Sequence, residues 1–306
     1  MSKKIVFMGT PEFSVEILKT LKESNYEIAC VYTQSAKKSS RGQKLKKSPT
    51  QLFAELNNLK IRHPISLSEE NEYNFFKSLN AYIVIVVAYG KIIPKKYLQL
   101  AEKGFINIHA SLLPKWRGAA PIQRSIMNND SETGISFMRI EEGLDTGPYM
   151  KKIKVKIDQH TNSRTLSKKL SKIGAENIIN CIQLIENNEA QFISQNNDLA
   201  TYAKKIEKSE SKINWDDDAK KILLKINGLN PDPGAWFEFE GSRYKVWKGE
   251  LSNLKGSPGK VLDDKLTVGC KENSLKILEI QKEGKKRLLT NNFLIGTKIL
   301  KGKNLF

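Results

Sequence analysis

Residues 106–121 read INIHASLLPKWRGAAP, and the fold that we expect for the chain is organised around them. The stretch begins as a strand, on which successive side chains point to opposite faces. Asn107 and His109 therefore share one face, while two isoleucines occupy the other. Taken alone, His109 is as compatible with a hydrogen-bonded polar group at a strand end as with a functional group. The turn at 111–114 and the Arg-Gly pair that follows favour a functional site.

The segments around this stretch alternate between strands and helices. Residues 81–88 are almost continuously apolar and β-branched, which is typical of a central parallel strand covered on both faces. Residues 3–9 form another buried strand, and Thr10 is expected to cap the helix that begins at Pro11. We therefore predict an α/β fold with a doubly wound, mostly parallel, Rossmann-like sheet. Because residues 9–13 do not follow a Gly-x-Gly-x-x-Gly pattern, no dinucleotide site is expected.

The last third of the chain changes character. Residues 189–211 are polar and are predicted to be a linker, and residues 236–247 read as a hairpin that turns at 240–242. Further short strands between glycines indicate a smaller antiparallel β-barrel, OB-like, with Trp236 and Trp247 in its core. The predicted boundaries are 1–188 for the α/β domain, 189–211 for the linker and 212–306 for the barrel.

The motif that begins at Asn107 resembles the signature of a known enzyme family. Asn-x-His running into Ser-Leu-Leu-Pro-x-x-Arg-Gly at 107–118 is similar to the pattern of enzymes that use 10-formyltetrahydrofolate as a formyl donor. Those enzymes complete the site with an aspartate in a glycine-rich loop, which Gly-Leu-Asp-Thr-Gly at 143–147 fits. The continuation GAAPIQRS at 118–125 resembles the branch of the family that acts on methionine carried by initiator tRNA.

This resemblance implies a cytoplasmic enzyme of translation initiation. The enzyme would transfer a formyl group from 10-formyltetrahydrofolate to the amino group of methionine on initiator tRNA. The implied organisation is a catalytic and folate-binding domain at 1–188 and a tRNA-contacting barrel at 212–306. Sequences similar to the family's barrel markers are Asn-Pro-x-Pro at 230–233 and Lys-Val-Trp-Lys at 245–248.

The resemblance also implies a set of site residues. Formyl transfer passes through a tetrahedral oxyanion, to which the Asn107 amide can donate. His109 can move a proton near neutral pH or, as an imidazolium, stabilise charge. Asp145 can orient His109 or accept the amine proton through water, although its glycine-rich segment is also good turn chemistry by itself. The residues implied to bind folate are Ala88, Tyr89, Gly90, Ser111, Leu112, Leu113, Pro114 and Leu144.

A basic segment at 34–49 connects a predicted strand to a predicted helix. No acidic residue occurs between Glu27 and Glu55, and connections of this length tend to be functional. A charge run is usually a solvated loop, but the end of a parallel strand would place this one on the ligand-binding side of the sheet. By resemblance the segment grips the acceptor end of tRNA, through Arg41, Lys44, Lys46 and Lys47.

The composition bounds the remaining possibilities. The net charge of +18 favours a polyanionic partner, although an AT-rich genome would also enrich lysine over arginine. No apolar run approaches the roughly 18 residues of a membrane span, and the N-terminus enters a strand too soon for a signal peptide. The three scattered cysteines indicate a reducing cytosol, and no metal is predicted. We expect a monomer with no membrane partner.

Two alternative functions share some of these features. A formyltransferase acting on an amino sugar or another small amine would show the same motif, but it would need neither a basic loop nor a basic barrel. A noncatalytic RNA-binding protein would need the basic surface but not the set of Asn107, His109 and Asp145.

Overall fold

The computed structural model describes residues 3–39, 44–297 and 299–306. The chain divides into two compact units, each assembled from several segments. The first unit comprises Met1–Pro121, Thr133–Lys156 and Ser167–Ala203, and the second comprises Ile122–Glu132, Ile157–Leu166 and Lys204–Phe306. The domain boundaries given from the sequence, at residues 188 and 212, stay a prediction.

The helices of the first unit alternate with its strands, as predicted. Those of the described residues are α1 (Glu12–Lys22), α2 (Pro49–Leu56), α3 (Glu70–Ser78), α4 (Pro121–Met127), α5 (Ser163–Glu186), α6 (Ala219–Gly228) and α7 (Thr290–Gly296). Within the part of the chain that the structure describes, no helix is long and apolar enough to cross a membrane.

The first unit is built on a seven-stranded sheet. The strands of this unit, including two separate two-stranded pairs, are β1 (Lys4–Gly9), β2 (Glu27–Tyr32), β3 (Lys37–Ser39), β4 (Lys44–Lys46), β5 (Ile61–Arg62), β6 (Ile83–Val87), β7 (Phe105–His109), β8 (Arg117–Gly118), β9 (Glu132–Arg139), β10 (Tyr149–Lys156) and β11 (Tyr202–Ala203). The sheet runs β10-β9-β7-β6-β1-β2-β5 in space, while β3 pairs with β4 and β8 with β11.

The pairing in this sheet is mostly parallel. The pairs β7–β6, β6–β1, β1–β2 and β2–β5 are parallel, whereas β7 and β9 are antiparallel. All five residues of β6 are buried, as expected for a strand covered on both faces. The predicted doubly wound, mostly parallel α/β fold is confirmed.

The predicted cap of the first helix is wrong. The residue that precedes α1 is Pro11, and no side chain caps the helix. The Thr10 hydroxyl instead donates to the Tyr89 carbonyl oxygen at 2.9 Å. A tertiary acceptor 79 residues away therefore takes the hydroxyl that the local sequence assigned to the helix end.

The second unit contains a curled antiparallel sheet that forms half a barrel, which confirms the predicted antiparallel C-terminal fold. The chain turns from the first strand to the second through Glu240 and Gly241, both with positive φ. Trp247 is buried, as predicted. Trp236 is only half-buried, with the Arg243 guanidinium carbon 3.8 Å from its ring centroid, so the assignment of Trp236 to the core is wrong. The strands are β12 (Ala235–Phe239), β13 (Ser242–Ser252), β14 (Thr267–Gly269), β15 (Ser274–Lys282) and β16 (Leu288–Leu289).

A serine on β9 fixes the turn that follows β7. The Ser136 hydroxyl donates to the Ser111 carbonyl oxygen at 2.7 Å and accepts from the Leu113 N–H at 3.0 Å. Ser136 and Ser111 are fully buried, so no water can replace these bonds. The turn of the motif is thus tied to the neighbouring antiparallel strand.

We predict that Ser136→Ala lowers the free energy of unfolding by about 2–4 kcal/mol, because it leaves a buried N–H and a buried carbonyl without a partner. Urea unfolding measures this change. The control is Ser78→Ala, since Ser78 is exposed and its hydroxyl donates to the Phe75 carbonyl of its own helix. Equal losses in the two variants would contradict the prediction.

Candidate active site

The end of β7 brings together the three predicted catalytic side chains. Asn107 Nδ2 donates to Asp145 Oδ1 at 3.3 Å, and His109 Nδ1 lies 3.6 Å from Asp145 Oδ2. The two β7 side chains therefore do share one face, as strand alternation predicts. Their proximity is a finding of the structure, whereas their catalytic roles stay a prediction.

Both ring nitrogens of His109 face oxygen atoms. Nε2 is 2.9 Å from the Trp116 carbonyl oxygen, and because a carbonyl can only accept, Nε2 carries a hydrogen. Nδ1 faces the Asp145 carboxylate, and the ring is only 6% exposed. The oxygen atoms on both sides hold the ring in one orientation.

Asp145 sits on a backbone that few residues adopt. Its φ of +51° is in the left-handed region, where aspartate is tolerated better than most residues. Its Oδ2 atom also accepts from the Gly118 backbone N–H at 2.9 Å. The carboxylate thus contacts a strand side chain, a histidine and a backbone amide at once.

Gln195 and Asn197 were not predicted to belong to the site, and Arg117 was noted only as part of the sequence motif. Arg117 is 2% exposed, and its guanidinium donates to Gln195 Oε1 through Nε at 3.0 Å and Nη2 at 2.8 Å, and to Asn197 Oδ1 at 2.8 Å. The Gln195 amide in turn donates to the carbonyl oxygens of Asp145 and Gly147, at 2.8 and 2.7 Å. Gln195 lies 50 residues beyond Asp145, in the segment predicted as a linker, so no local pattern could find it.

The residues predicted to bind folate differ in what they expose. The side chains of Ser111 and Leu113 are fully buried, while Leu112 and Pro114 are half-buried. Leu144 is 62% exposed, beside the Asp145 carboxylate in sequence. The 111–114 turn can therefore present its backbone and two half-buried side chains to a ligand.

The loop after β6 presents mainly backbone. Ala88 and Gly90 are exposed and have φ of +48° and +77°. The Tyr89 ring between them packs in the core, and burial raises the pKa of its hydroxyl. Its carbonyl oxygen accepts from Thr10 Oγ1 at 2.9 Å and Gln34 Nε2 at 3.0 Å. Any contact of Tyr89 with a ligand at this edge must come from the remaining backbone groups.

The predicted tRNA-binding residues are only partly described. Arg41 lies outside the described residues, and the backbone of Lys44 belongs to β4. Lys46 is exposed at the end of the same strand. Lys47 Nζ donates to both Glu55 oxygens, at 2.9 and 2.8 Å, and this bond lowers the pKa of the carboxyl. The Glu55 carboxylate thus partly neutralises the charge of Lys47, which distinguishes Lys47 from Lys46.

Within the described ranges, no group of three or more His, Cys, Asp or Glu side chains is placed to hold a metal ion. The polar atoms at the end of β7 are instead arranged around one carboxylate. Such a cluster can donate hydrogen bonds, move a proton and stabilise charge.

The sequence matches two parts of one enzyme family. Residues 3–182 match the formyl transferase domain and residues 205–298 match the formyl transferase C-terminal domain. The chain belongs to the formyl transferase family. Its relatives include enzymes named methionyl-tRNA formyltransferase. The one from Pelagibacter ubique is 54% identical over 307 residues, 100% of this chain and 99% of the relative. The one from Jannaschia sp. is 41% identical over 98% of each chain.

Solved structures share the fold. HypX from Aquifex aeolicus, in complex with tetrahydrofolic acid, has a TM-score of 0.67 and 16% sequence identity to this chain. The match covers 95% of this chain and 46% of that chain.

Gly147 offers a test of how tightly the Asp145 loop is held. A Cβ atom at Gly147 would lie 2.1 Å from the Arg139 carbonyl oxygen, so the backbone must shift to admit one. We predict that Gly147→Ala destabilises the protein by about 1–3 kcal/mol, as overpacking does. Chemical unfolding measures the loss. The control is Gly296→Ala, where an added Cβ would have nothing within 4 Å; an equal loss there would contradict the prediction.

Proposed function

We propose that this chain transfers the formyl group of 10-formyltetrahydrofolate to the amino group of methionine on initiator tRNA. The observation that carries the proposal is the convergence of Asn107, His109 and Asp145 at the end of β7. It occurs in a chain that is 54% identical, over its full length, to a methionyl-tRNA formyltransferase.

In this reaction the methionyl nitrogen attacks the formyl carbon of the folate. A tetrahedral intermediate forms with negative charge on the formyl oxygen, and its collapse breaks the bond to N10. The methionyl nitrogen loses a proton and N10 gains one. The site must therefore stabilise an oxyanion and move a proton.

Asn107 and His109 have the groups for these two tasks. An amide carries two hydrogens, so Asn107 can keep its bond to Asp145 and still donate to the oxyanion. His109 lies between the Trp116 carbonyl and Asp145, which fixes its ring for proton transfer or charge stabilisation. Asp145 orients both partners, and its negative charge can stabilise positive charge that develops on the His109 ring during the reaction.

The folate is proposed to occupy the crevice at the carboxyl ends of β6 and β7, where open α/β sheets place ligands. The loop 88–90 and the turn 111–114 flank this edge. Exposed Leu144 gives an apolar contact for the ring system of a folate. The similar HypX structure contains tetrahydrofolic acid, which supports a folate as the cosubstrate.

The tRNA is proposed to contact the basic segment at 34–49 and the second unit. The full-length relatives are named for methionyl-tRNA, and a polyanion fits the net charge of +18. Arg41, Lys44, Lys46 and Lys47 are the proposed contacts in the basic segment. The working form is proposed to be a cytoplasmic monomer.

The direct test is incubation with 10-formyltetrahydrofolate and initiator methionyl-tRNA, followed by detection of acid-stable formylmethionine. Elongator methionyl-tRNA and free methionine are the comparison substrates. We expect formylation of the initiator tRNA alone at an appreciable rate. Equal turnover of free methionine would favour the small-amine function instead.

We predict that His109→Ala loses about 10²–10⁴ in kcat, as loss of a positioned acid–base group does. Asn107→Ala should lose about 10²–10³ through the oxyanion. Steady-state kinetics measure both, and circular dichroism checks folding. His160→Ala is the control because His160 is exposed. Turnover near the wild-type value in both site variants would refute the assignment.

Lys46 and Lys47 test the tRNA contact as a matched pair. We predict that Lys46→Ala reduces the slope of log Kd for tRNA against log salt by about one unit, the effect of losing one phosphate contact. Lys47→Ala should change the slope less, because Glu55 already neutralises Lys47. Filter binding across salt concentrations measures the slopes, with folate binding as the control. Unchanged slopes in both variants would leave the segment as solvated surface.

A further inference from the structure

The loop between β9 and β10 carries Asp145 in the left-handed backbone region. A residue with a Cβ atom is uncommon at a φ of +51°. The direction of the carboxylate depends on that backbone, because the side chain leaves from it. A contact from outside the loop that fixes this backbone would therefore also fix the direction of the carboxylate.

Gln195 contacts the loop through one end of its amide and Arg117 through the other. Its Nε2 atom donates to the carbonyl oxygens of Asp145 and Gly147, at 2.8 and 2.7 Å, so one NH₂ group bridges the loop. Its Oε1 atom accepts two hydrogen bonds from the Arg117 guanidinium. Each of the four bonds has normal geometry and length.

Arg117 determines which way the amide points. Its guanidinium is always charged and is 2% exposed, and its acceptors are the amide oxygens of Gln195 and Asn197. A flipped Gln195 amide would place an NH₂ group against these donors and an oxygen against two carbonyls. The charged donors also polarise the amide, which strengthens the bonds made by Nε2.

We propose that Gln195 is a positioning residue for the formyl transfer. Held by the buried Arg117, its amide clamps the Asp145 loop so that the carboxylate stays directed at Asn107, His109 and the Gly118 N–H. This inference rests on the proposed function for the reaction that it affects. The clamp itself is a property of the fold.

Gln195→Glu is the decisive variant. The glutamate has the same size and keeps the two bonds from Arg117, now as an ion pair. It has no hydrogen for the carbonyl oxygens of Asp145 and Gly147, and its charge repels them. The variant therefore removes the bonds to the Asp145 loop while keeping the bonds to Arg117. Asn197→Ala is the matched comparison, because it removes an acceptor of Arg117 without removing a bond to the loop.

For Gln195→Glu we expect kcat to fall about 10²-fold, the usual effect of misplacing a site by about 1 Å. The KM values for both substrates and the unfolding midpoint should stay close to wild type. In an Asp145→Asn background the same change should cause no further loss, because the carboxylate that it positions is gone. Asn197→Ala should lower kcat far less, and Gln191→Ala, at an exposed position, should have no effect.

Hydrogen exchange of the Gly118 amide tests the clamp without catalysis. That N–H bonds Asp145 Oδ2, so it should exchange about tenfold faster or more in Gln195→Glu if the carboxylate moves away. Wild-type kcat together with unchanged Gly118 exchange in Gln195→Glu would overturn the proposal. An equal loss of kcat in the Asp145→Asn background would overturn it as well. A wild-type protein that formylates no tRNA would refute the proposed function, and the exchange measurement would still decide on the clamp.

Discussion

The arrangement of the site depends on one largely buried carboxylate, that of Asp145. Its side chain is 17% exposed, and its two oxygens meet Asn107, His109 and the Gly118 N–H. These partners come from a sheet strand and from the chain that follows the motif turn. Because all of them are donors or a potential cation, the carboxylate draws them toward one point. Without it, Asn107 and His109 would share a face of β7 but would have no common partner.

The elements that converge on Asp145 differ in how far the sequence could predict them. The continuous apolar run of β6 and the polar pair on β7 are local patterns, and both predictions follow from strand geometry. The contact of Gln195 with the loop spans 50 residues and uses a common polar side chain in a polar segment. Nothing in such a segment distinguishes a residue that bonds a distant loop from one that is solvated.

Backbone conformation decides which groups of the 88–90 loop reach the edge of the sheet. The family resemblance implies a folate contact at Tyr89, which follows the central strand, and that contact stays a prediction. The strand ends at Val87, and the left-handed conformation of Ala88 redirects the chain, so the Tyr89 ring joins Val84 and Val86 in the same core cluster. A positive φ at an alanine has no signature in the sequence, and the direction of the next side chain cannot be read without it.

The choice of an amide at position 195 has a physical reason. Only a group with both an acceptor and a donor can join the Arg117 guanidinium to two carbonyl oxygens. A carboxylate would bind the arginine more strongly, but it would place a second negative charge near the Asp145 loop. A neutral amide is oriented by the buried Arg117 guanidinium and in turn holds the Asp145 loop. It adds no charge beside the carboxylate and the imidazole at the end of β7.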